Sequence, residues 1–223
     1  MEHLIGLGMR INTEWPRVEK ALVDRYRAVP AAVIGDAVHR LQAFAAGFTA
    51  YGGRKKFAGP AFTVRVRPGD NLFVHRALDL ASPGDVIVVD AGAALNTAII
   101  GSMMSRYART RGIEAIVIDG AIRDVDELEA MDFAVVARGA TPNGPHKSGP
   151  GEIGFPIAAG GLSIAPGDLL VGDRDGVVLI PRAEAAKVID MAAARYQAEQ
   201  RLEKDIDAGR WDRGFVEEAL RRL

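Results

Sequence analysis

GSMMSRYARTRGIEAIVIDGAIRDVDE, residues 101–127, is the stretch whose reading decides the fold. Met103, Met104, Tyr107 and Ala108, joined upstream by Ile99 and Ile100, recur at helical spacing, and Gly112 is a natural stop. Ala115–Asp119 (AIVID) is then almost continuously apolar, as expected of a strand covered on both faces. A turn carrying Arg123 and Asp124 side by side follows, and a short helix over Val125–Met131. This mixture of helix and buried strand is the pattern of an α/β domain.

Upstream, VIVVD (Val86–Asp90) repeats the buried-strand signal, and AFTVRVR (Ala61–Arg67) alternates as a half-buried strand does. Asn71–Leu80 reads as a short helix, Gly47–Gly59 as a loop, and Ala91–Asn96 as a flexible loop of small residues. Thr13 is positioned to cap a helix from Glu14 with Val18, Leu22 and Tyr26 on one face. Pro30 starts a second helix carrying Val33, Ile34, Ala37, Val38 and Leu41, with Asp36 and His39 on its polar side.

Downstream, short strands are expected at Ala134–Val136, Pro156–Ile157, Leu162–Ile164, LLVGD from Leu169 and VVLIP from Val177, about nine in all. Arg138–Gly151 is a long irregular segment containing His146 and Lys147, of a kind that is often functional. Arg182 to about Ala208 reads as one long helix, apolar at Ala185, Val188, Ile189 and Ala192 and charged beyond. Its outer half is expected to leave the domain as an arm, with Trp211, Phe215 and Leu220 seeking a neighbouring surface.

A chain of 223 residues, 48% hydrophobic and 26% charged, can bury one sizeable core. A net charge of −1 with mixed signs excludes the concentrated basic face that nucleic acid requires. Absence of cysteine rules out a disulfide framework and a thiol nucleophile, and it suits a reducing cytoplasm. MEHLIGLGMRINTEW lacks the basic region and apolar run of a leader, and no apolar stretch is long enough to span a bilayer. The expectation is a soluble cytoplasmic protein. No G-x-G-x-x-G follows a strand, and no P-loop, H-E-x-x-H or G-x-S-x-G occurs.

Two readings of Arg123-Asp124 stand side by side. Asp124 precedes Glu127 by three residues, so it could merely cap a helix, with Arg123 pairing Asp119 or Asp126. Alternatively, a guanidinium and a carboxylate at a strand's end hold an anionic substrate and a divalent ion together. Mg²⁺ commonly takes one or two protein carboxylates plus water and substrate oxygens. A 2-oxo acid would supply a carboxylate and a keto oxygen. Arg123 would stabilise its enolate, and backbone N–H groups after Gly101 would receive its carboxylate. Met103 and Met104 read as core filler on their chemistry alone.

RPGDN with His75 shortly after, SPGDVIVVD, the Gly101 helix, IVIDGAIRDVDEL, MDF, the Lys147 loop and APGDLLVGDRDGVVLIP together resemble the RraA-like family. That family includes the class II pyruvate aldolases acting on 4-hydroxy-4-methyl-2-oxoglutarate and 4-carboxy-4-hydroxy-2-oxoadipate. The resemblance implies a compact β/β/α sandwich of the swivelling-domain type, with N-terminal helices and a long C-terminal helical arm. It implies one domain over residues 1–223, with a core of about 30–182 and an arm of about 183–223. It further implies trimers or hexamers with sites between subunits, Mg²⁺ or Mn²⁺, a 2-oxo acid substrate, and oxaloacetate decarboxylation as a side activity.

By the same resemblance, Gly101, Ser102, Met103 and Met104 match the carboxylate-binding segment, Arg123 the enolate-stabilising arginine, and Asp124 the metal ligand. Glu199 corresponds to the acid that the arm delivers to a neighbouring site. One departure stands out: the family's aldolases usually carry an acid where this chain has Ser102. A hydroxyl is no carboxylate base. The alternative implied is a non-catalytic relative that regulates a protein partner, such as an RNA-degrading endonuclease. The roles of His146 and Lys147 stay open on the sequence.

Overall fold

The structure, a computed structural model, describes residues 6–223. The first five residues, which open the stretch read against a leader, lie outside the described residues. In chain order come β1 (Met9–Ile11), α1 (Lys20–Arg27), α2 (Ala31–Ala37), β2 (Thr49–Ala50), β3 (Phe57–Val66), α3 (Leu72–Leu80) and β4 (Val86–Asp90). Next are β5 (Ala98–Ile100), α4 (Ser102–Thr110), β6 (Ala115–Ile122), α5 (Val125–Glu129), β7 (Ala134–Ala140) and β8 (Gly151–Ile153). The chain closes with β9 (Ile157–Ala159), β10 (Leu162–Ile164), β11 (Leu169–Gly172), β12 (Val177–Ile180), α6 (Ala185–Asp207) and α7 (Gly214–Leu220).

β3, β4, β6 and β7 lie parallel in that order, flanked by β8 and β1 on one side and β2 on the other. Helices α3, α4 and α5 make the crossovers between these strands, as parallel neighbours require. Strand alternation sorts the core. Ile87, Val89, Ile116, Ile118, Val135 and Ala137 face the crossover helices with Phe73, Val74, Leu78, Ala108 and Leu128. Val86, Val88, Ala115, Val117 and Val136 face the other way, onto Ile157, Ile164, Leu170 and Leu179 of the β9–β12 layer. The outer face of that layer, Leu169, Val171, Val178 and Ile180, is covered by α1, α2 and the first half of α6. The β/β/α sandwich with N-terminal helices is therefore present.

Several expectations are corrected. Ile99 and Ile100 belong to β5, which pairs with β6, so the helix begins only at Ser102. β3 starts at Phe57, inside the expected loop, and all its residues but Arg65 are buried. Its Thr63 is tolerated there because the hydroxyl donates to the Phe155 carbonyl at 2.8 Å. The first helix begins at Lys20, not Glu14, because Asn12 Oδ1 takes the Glu14 N–H at 3.1 Å and holds an Asx turn. Trp15 then packs edge-on against Phe62, ring centroids 5.2 Å apart. α2 stops at Ala37, and the positive φ of His39 and Arg40 leaves Leu41 exposed. β6 and β7 run longer than expected, and β1, β2, β5 and β8 are additional, so the described residues contain twelve strands rather than about nine.

Beyond Tyr196, which still packs partly on the core, α6 runs out over solvent. Leu202, Ile206, Trp211, Phe215 and Leu220 are exposed in this single chain. Among the described residues no helix is long and apolar enough to cross a membrane.

Candidate active site

Four pieces of chain meet at the C-terminal end of the parallel strands, the edge where α/β sheets commonly place ligands. β6 delivers Arg123 and Asp124, the β5–α4 junction Gly101, Met103 and Met104, the start of α3 Asn71 and His75, and the 141–150 loop Pro145 and Lys147. They line a cleft of about 250 Å³. On the far side of the Arg123–Asp124 pair a second cleft of about 390 Å³ is walled by Val125, Ala140, Thr141 and Pro142. The pair therefore borders both.

Asp124 sits in the left-handed region at φ 61°, ψ 48°. It occupies the N-cap position of α5, but its carboxylate makes no cap there. Instead Oδ2 accepts the Ser102 backbone N–H at 2.9 Å and the Ser102 hydroxyl at 3.2 Å. The capping-box reading is thus overturned: the carboxylate crosses to the first turn of α4, where a negative charge is favoured. Gly101 makes the crossing possible. Its φ of −148° is ordinary extended backbone, yet a Cβ there would lie 2.3 Å from Asp124 Oδ2.

The Arg123 backbone N–H donates to the Ile100 carbonyl at 3.0 Å, and its Nε lies 3.8 Å from Asp124 Oδ1. A Cβ on Gly144 would come within 2.9 Å of Arg123 Nη1, so the guanidinium lies close over that loop. Asp119 does not pair with Arg123. It is buried and bound to Arg138 and to the Gly160 N–H, which fixes β6 from behind.

Met103, read as core filler, is 82% exposed and lines the cleft, whereas Met104 packs partly against the core. The first-turn N–H groups of a helix lack intrahelical partners, so the α4 terminus offers donors to an anion. Ser102's N–H is already taken by Asp124, which leaves that role to the positions after it.

Asn71 and His75 sit one helical turn apart, the His75 N–H donating to the Asn71 carbonyl at 3.0 Å. Asn71 Nδ2 donates to the Ile99 carbonyl at 2.9 Å and to the Met104 sulfur at 3.4 Å. Its Oδ1 and His75 Nε2 are buried, with no hydrogen-bond partner among the described residues. Burial holds the His75 imidazole below its usual value, helped by Lys147 and opposed by Asp79. In sequence the two residues stood only within a longer matching segment. The signal that marks them is the Pro-Gly-Asp turn feeding directly into an apolar helix.

Asp70 of that turn clamps the Lys147 loop to α3. Its Oδ1 takes the Leu72 N–H at 2.9 Å, and Oδ2 takes the Ser148 and Gly149 N–H groups at 2.7 and 3.0 Å. Burial pushes Asp70 up, but these three donors and Arg67 together hold it below the ordinary carboxylate value. Lys147 faces the cleft. His146 contributes through its backbone, bonding Gly69 and Asn71 while its side chain is exposed.

Glu199 is not brought to this cleft by its own chain. It lies on α6, accepting from Arg195 Nε at 3.0 Å while Arg195 Nη2 donates to Asp36 at 2.6 Å. Among the described residues no three His, Cys, Asp or Glu side chains cluster as a ready cation cage. Of the described residues that line the cleft, Asp124 is the one acid.

Residues 31–179 match the RraA-like family, described as Aldolase/RraA. A Halalkalibacterium halodurans protein, provisionally named a 4-hydroxy-4-methyl-2-oxoglutarate aldolase, is 38% identical over 85% of this chain and 90% of its own. An uncharacterized protein from Pseudomonas syringae pv. tomato superposes with a TM-score of 0.79 at 27% identity, covering 87% of this chain and 96% of its own. Streptomyces coelicolor RraAS2, described as an unusual member of the RNase ES inhibitor RraA protein family, superposes at 0.75 with 33% identity, covering 84% and 98%.

Proposed function

From the premise that the chain belongs to the RraA-like family, we propose that it is a divalent-metal-dependent aldolase. It cleaves a 4-hydroxy-2-oxo acid to pyruvate and a second oxo acid, and it decarboxylates oxaloacetate as a side reaction. The observation that carries this reading is the meeting of Arg123, Asp124 and the first turn of α4 on one cleft. The provisional aldolase name of a relative covering most of the chain supports it.

Asp124 fits Mg²⁺ or Mn²⁺ as a lone carboxylate, its Oδ2 held by Ser102 and its Oδ1 facing Arg123, with water and substrate completing the shell. Such an ion would polarise the substrate's keto group. Arg123 lies against the keto oxygen and stabilises the negative charge that develops there as the enolate forms. The α4 N-terminus, with Lys147 at the rim, receives the carboxylate. Gly101 keeps the first turn of α4 close enough for Ser102 to orient Asp124. The exposed apolar residues of the arm, Trp211, Phe215 and Leu220, belong in this reading against another copy in a trimer or hexamer, where Glu199 approaches a neighbour's cleft.

The test is coupled detection of pyruvate from 4-hydroxy-4-methyl-2-oxoglutarate and oxaloacetate with Mg²⁺ or Mn²⁺. Arg123→Ala and Asp124→Ala should each abolish release; equal rates in all three proteins would end the proposal. A second reading, a non-catalytic regulator of a protein partner, is favoured by one observation. Ser102 supplies no charge, and its hydroxyl is directed at Asp124. Stoichiometric co-purification of a partner, with no metal binding and no pyruvate release, would favour it.

A further inference from the structure

Arg123 carries the proposed chemistry, yet bonding does not account for where its guanidinium stands. Among the described residues that group makes no hydrogen bond, and its nearest charge is Asp124 Oδ1, 3.8 Å from Nε. Its N–H donors are free for a ligand. A long, half-exposed side chain without hydrogen bonds is placed by what it packs against. Here that is two glycines. A Cβ on Gly101 would lie 3.0 Å from Arg123 Cγ, and one on Gly144 2.9 Å from Nη1 and 3.9 Å from Cζ. One glycine meets the stem of the arginine and the other its tip.

The loop at the tip is tied down on both sides of Gly144. The Thr141 N–H donates to the Ile122 carbonyl at 2.9 Å, and the His146 N–H to the Gly69 carbonyl at 2.8 Å. The Asn143 carbonyl accepts the Ala98 N–H at 2.9 Å, while Asn143 Nδ2 donates to the Asn96 carbonyl at 3.0 Å. Ile122 directly precedes Arg123 in β6, so loop and arginine hang from one frame. An atom added at Gly144 therefore displaces the flexible guanidinium before it displaces the backbone.

Resting on the aldolase reading, we propose that Gly144 is a positioning residue for the cleavage. By presenting no side chain to the Arg123 tip, it sets where the guanidinium donors meet the developing enolate oxygen. Gly144 does not have a positive φ, so alanine brings no backbone strain there. Ordinary contact begins at 3.4 Å, so an alanine Cβ forces the tip back by about 0.5 Å. A misplacement of about 1 Å can cost roughly 100-fold, and half of it about 10-fold. The loss falls on kcat rather than KM, because the guanidinium contact strengthens as charge develops.

The test uses the Mn²⁺-loaded protein and oxalate, a planar anion that resembles the pyruvate enolate. In Gly144→Ala, kcat for pyruvate release and the calorimetric affinity for oxalate should each fall about 10-fold, with KM and the melting temperature held. Gly144→Val, with more atoms to accommodate, should deepen both losses. In an Arg123→Ala background oxalate binds more weakly from the start, and Gly144→Ala should weaken it no further. Unchanged oxalate affinity in Gly144→Ala, an equal loss in the Arg123→Ala background, or a fall in melting temperature alongside the loss overturns the role of Gly144 and leaves the aldolase reading intact. A wild-type protein that neither binds oxalate nor releases pyruvate overturns both.

Discussion

Gly101→Ala probes the organisation of the site with one carbon atom. Its backbone φ suits alanine, so nothing is lost to strain, and alanine is otherwise the kinder residue. The added Cβ would stand 2.3 Å from Asp124 Oδ2, 3.0 Å from Arg123 Cγ and 3.1 Å from Asp124 Cγ. Ordinary contact requires the carboxylate to retreat by about an ångström. That distance breaks its 2.9 Å bond from the Ser102 N–H. A hydrogen bond to a charged group contributes about 1.5–3 kcal/mol. With a third of the Asp124 side chain in water, about 1 kcal/mol is the expected loss of stability. The melting temperature should fall by about 2–4 °C. Activity should suffer more, because a misplacement of about 1 Å can cost roughly 100-fold. Mn²⁺ titration by calorimetry, pyruvate release and thermal melts measure the three effects. In an Asp124→Ala background Gly101→Ala should cost much less, since the clashing oxygen is gone and only the 3.0 Å approach to Arg123 Cγ is left. Unchanged Mn²⁺ affinity and turnover in Gly101→Ala, or full additivity with Asp124→Ala, would refute the coupling of Gly101 to Asp124.

Three further outcomes follow from the geometry. Because Asp70 is held below its ordinary value when folded, its contribution to stability is full above about pH 4 and is lost as pH falls through the lower folded value. Urea unfolding between pH 3 and 7 should therefore show the deficit of Asp70→Asn relative to wild type shrinking toward the acid end. Arg138→Ala leaves Asp119 buried with only the Gly160 N–H and removes a guanidinium 4.5 Å from the Phe48 ring. It should cost about 3 kcal/mol by chemical denaturation, and a loss below about 1 kcal/mol would show the pair to be dispensable. Removing residues 209–223 deletes Trp211, Phe215 and Leu220 but spares the part of α6 that packs on α1 and α2. Light scattering should register a smaller assembly, with the core melting temperature held; an unchanged mass would assign the arm no role in association.

The crossover helices and the buried strands β4 and β6 were legible because their apolar periodicity is strong and local. The short pieces were not. β5 is three residues whose isoleucines continue the helical spacing of the segment after it, and only pairing with β6 claims them for the sheet. β3 looks half-exposed because Thr63 and Arg65 alternate with apolar neighbours, yet a carbonyl from residue 155 lets Thr63 be buried. In the site, Arg123 and Asp124 stand out by adjacency and by their place at a strand's end. Their partners do not: Asn71 and His75 lie about fifty residues upstream, and nothing nearby in sequence marks which atoms go unpaired.

Local order marked a mixed α/β domain, since the face each side chain presents follows from periods of 3.6 and 2, while the layered sandwich was implied only by the resemblance to the RraA-like family. Tertiary structure alone decided what Asp124 does. Three residues of spacing made a helix cap as natural as a ligand, and the choice turned on Gly101 leaving room for the carboxylate to reach Ser102. Which of two donors a carboxylate reaches is a matter of distance through space, and chain order carries no measure of that.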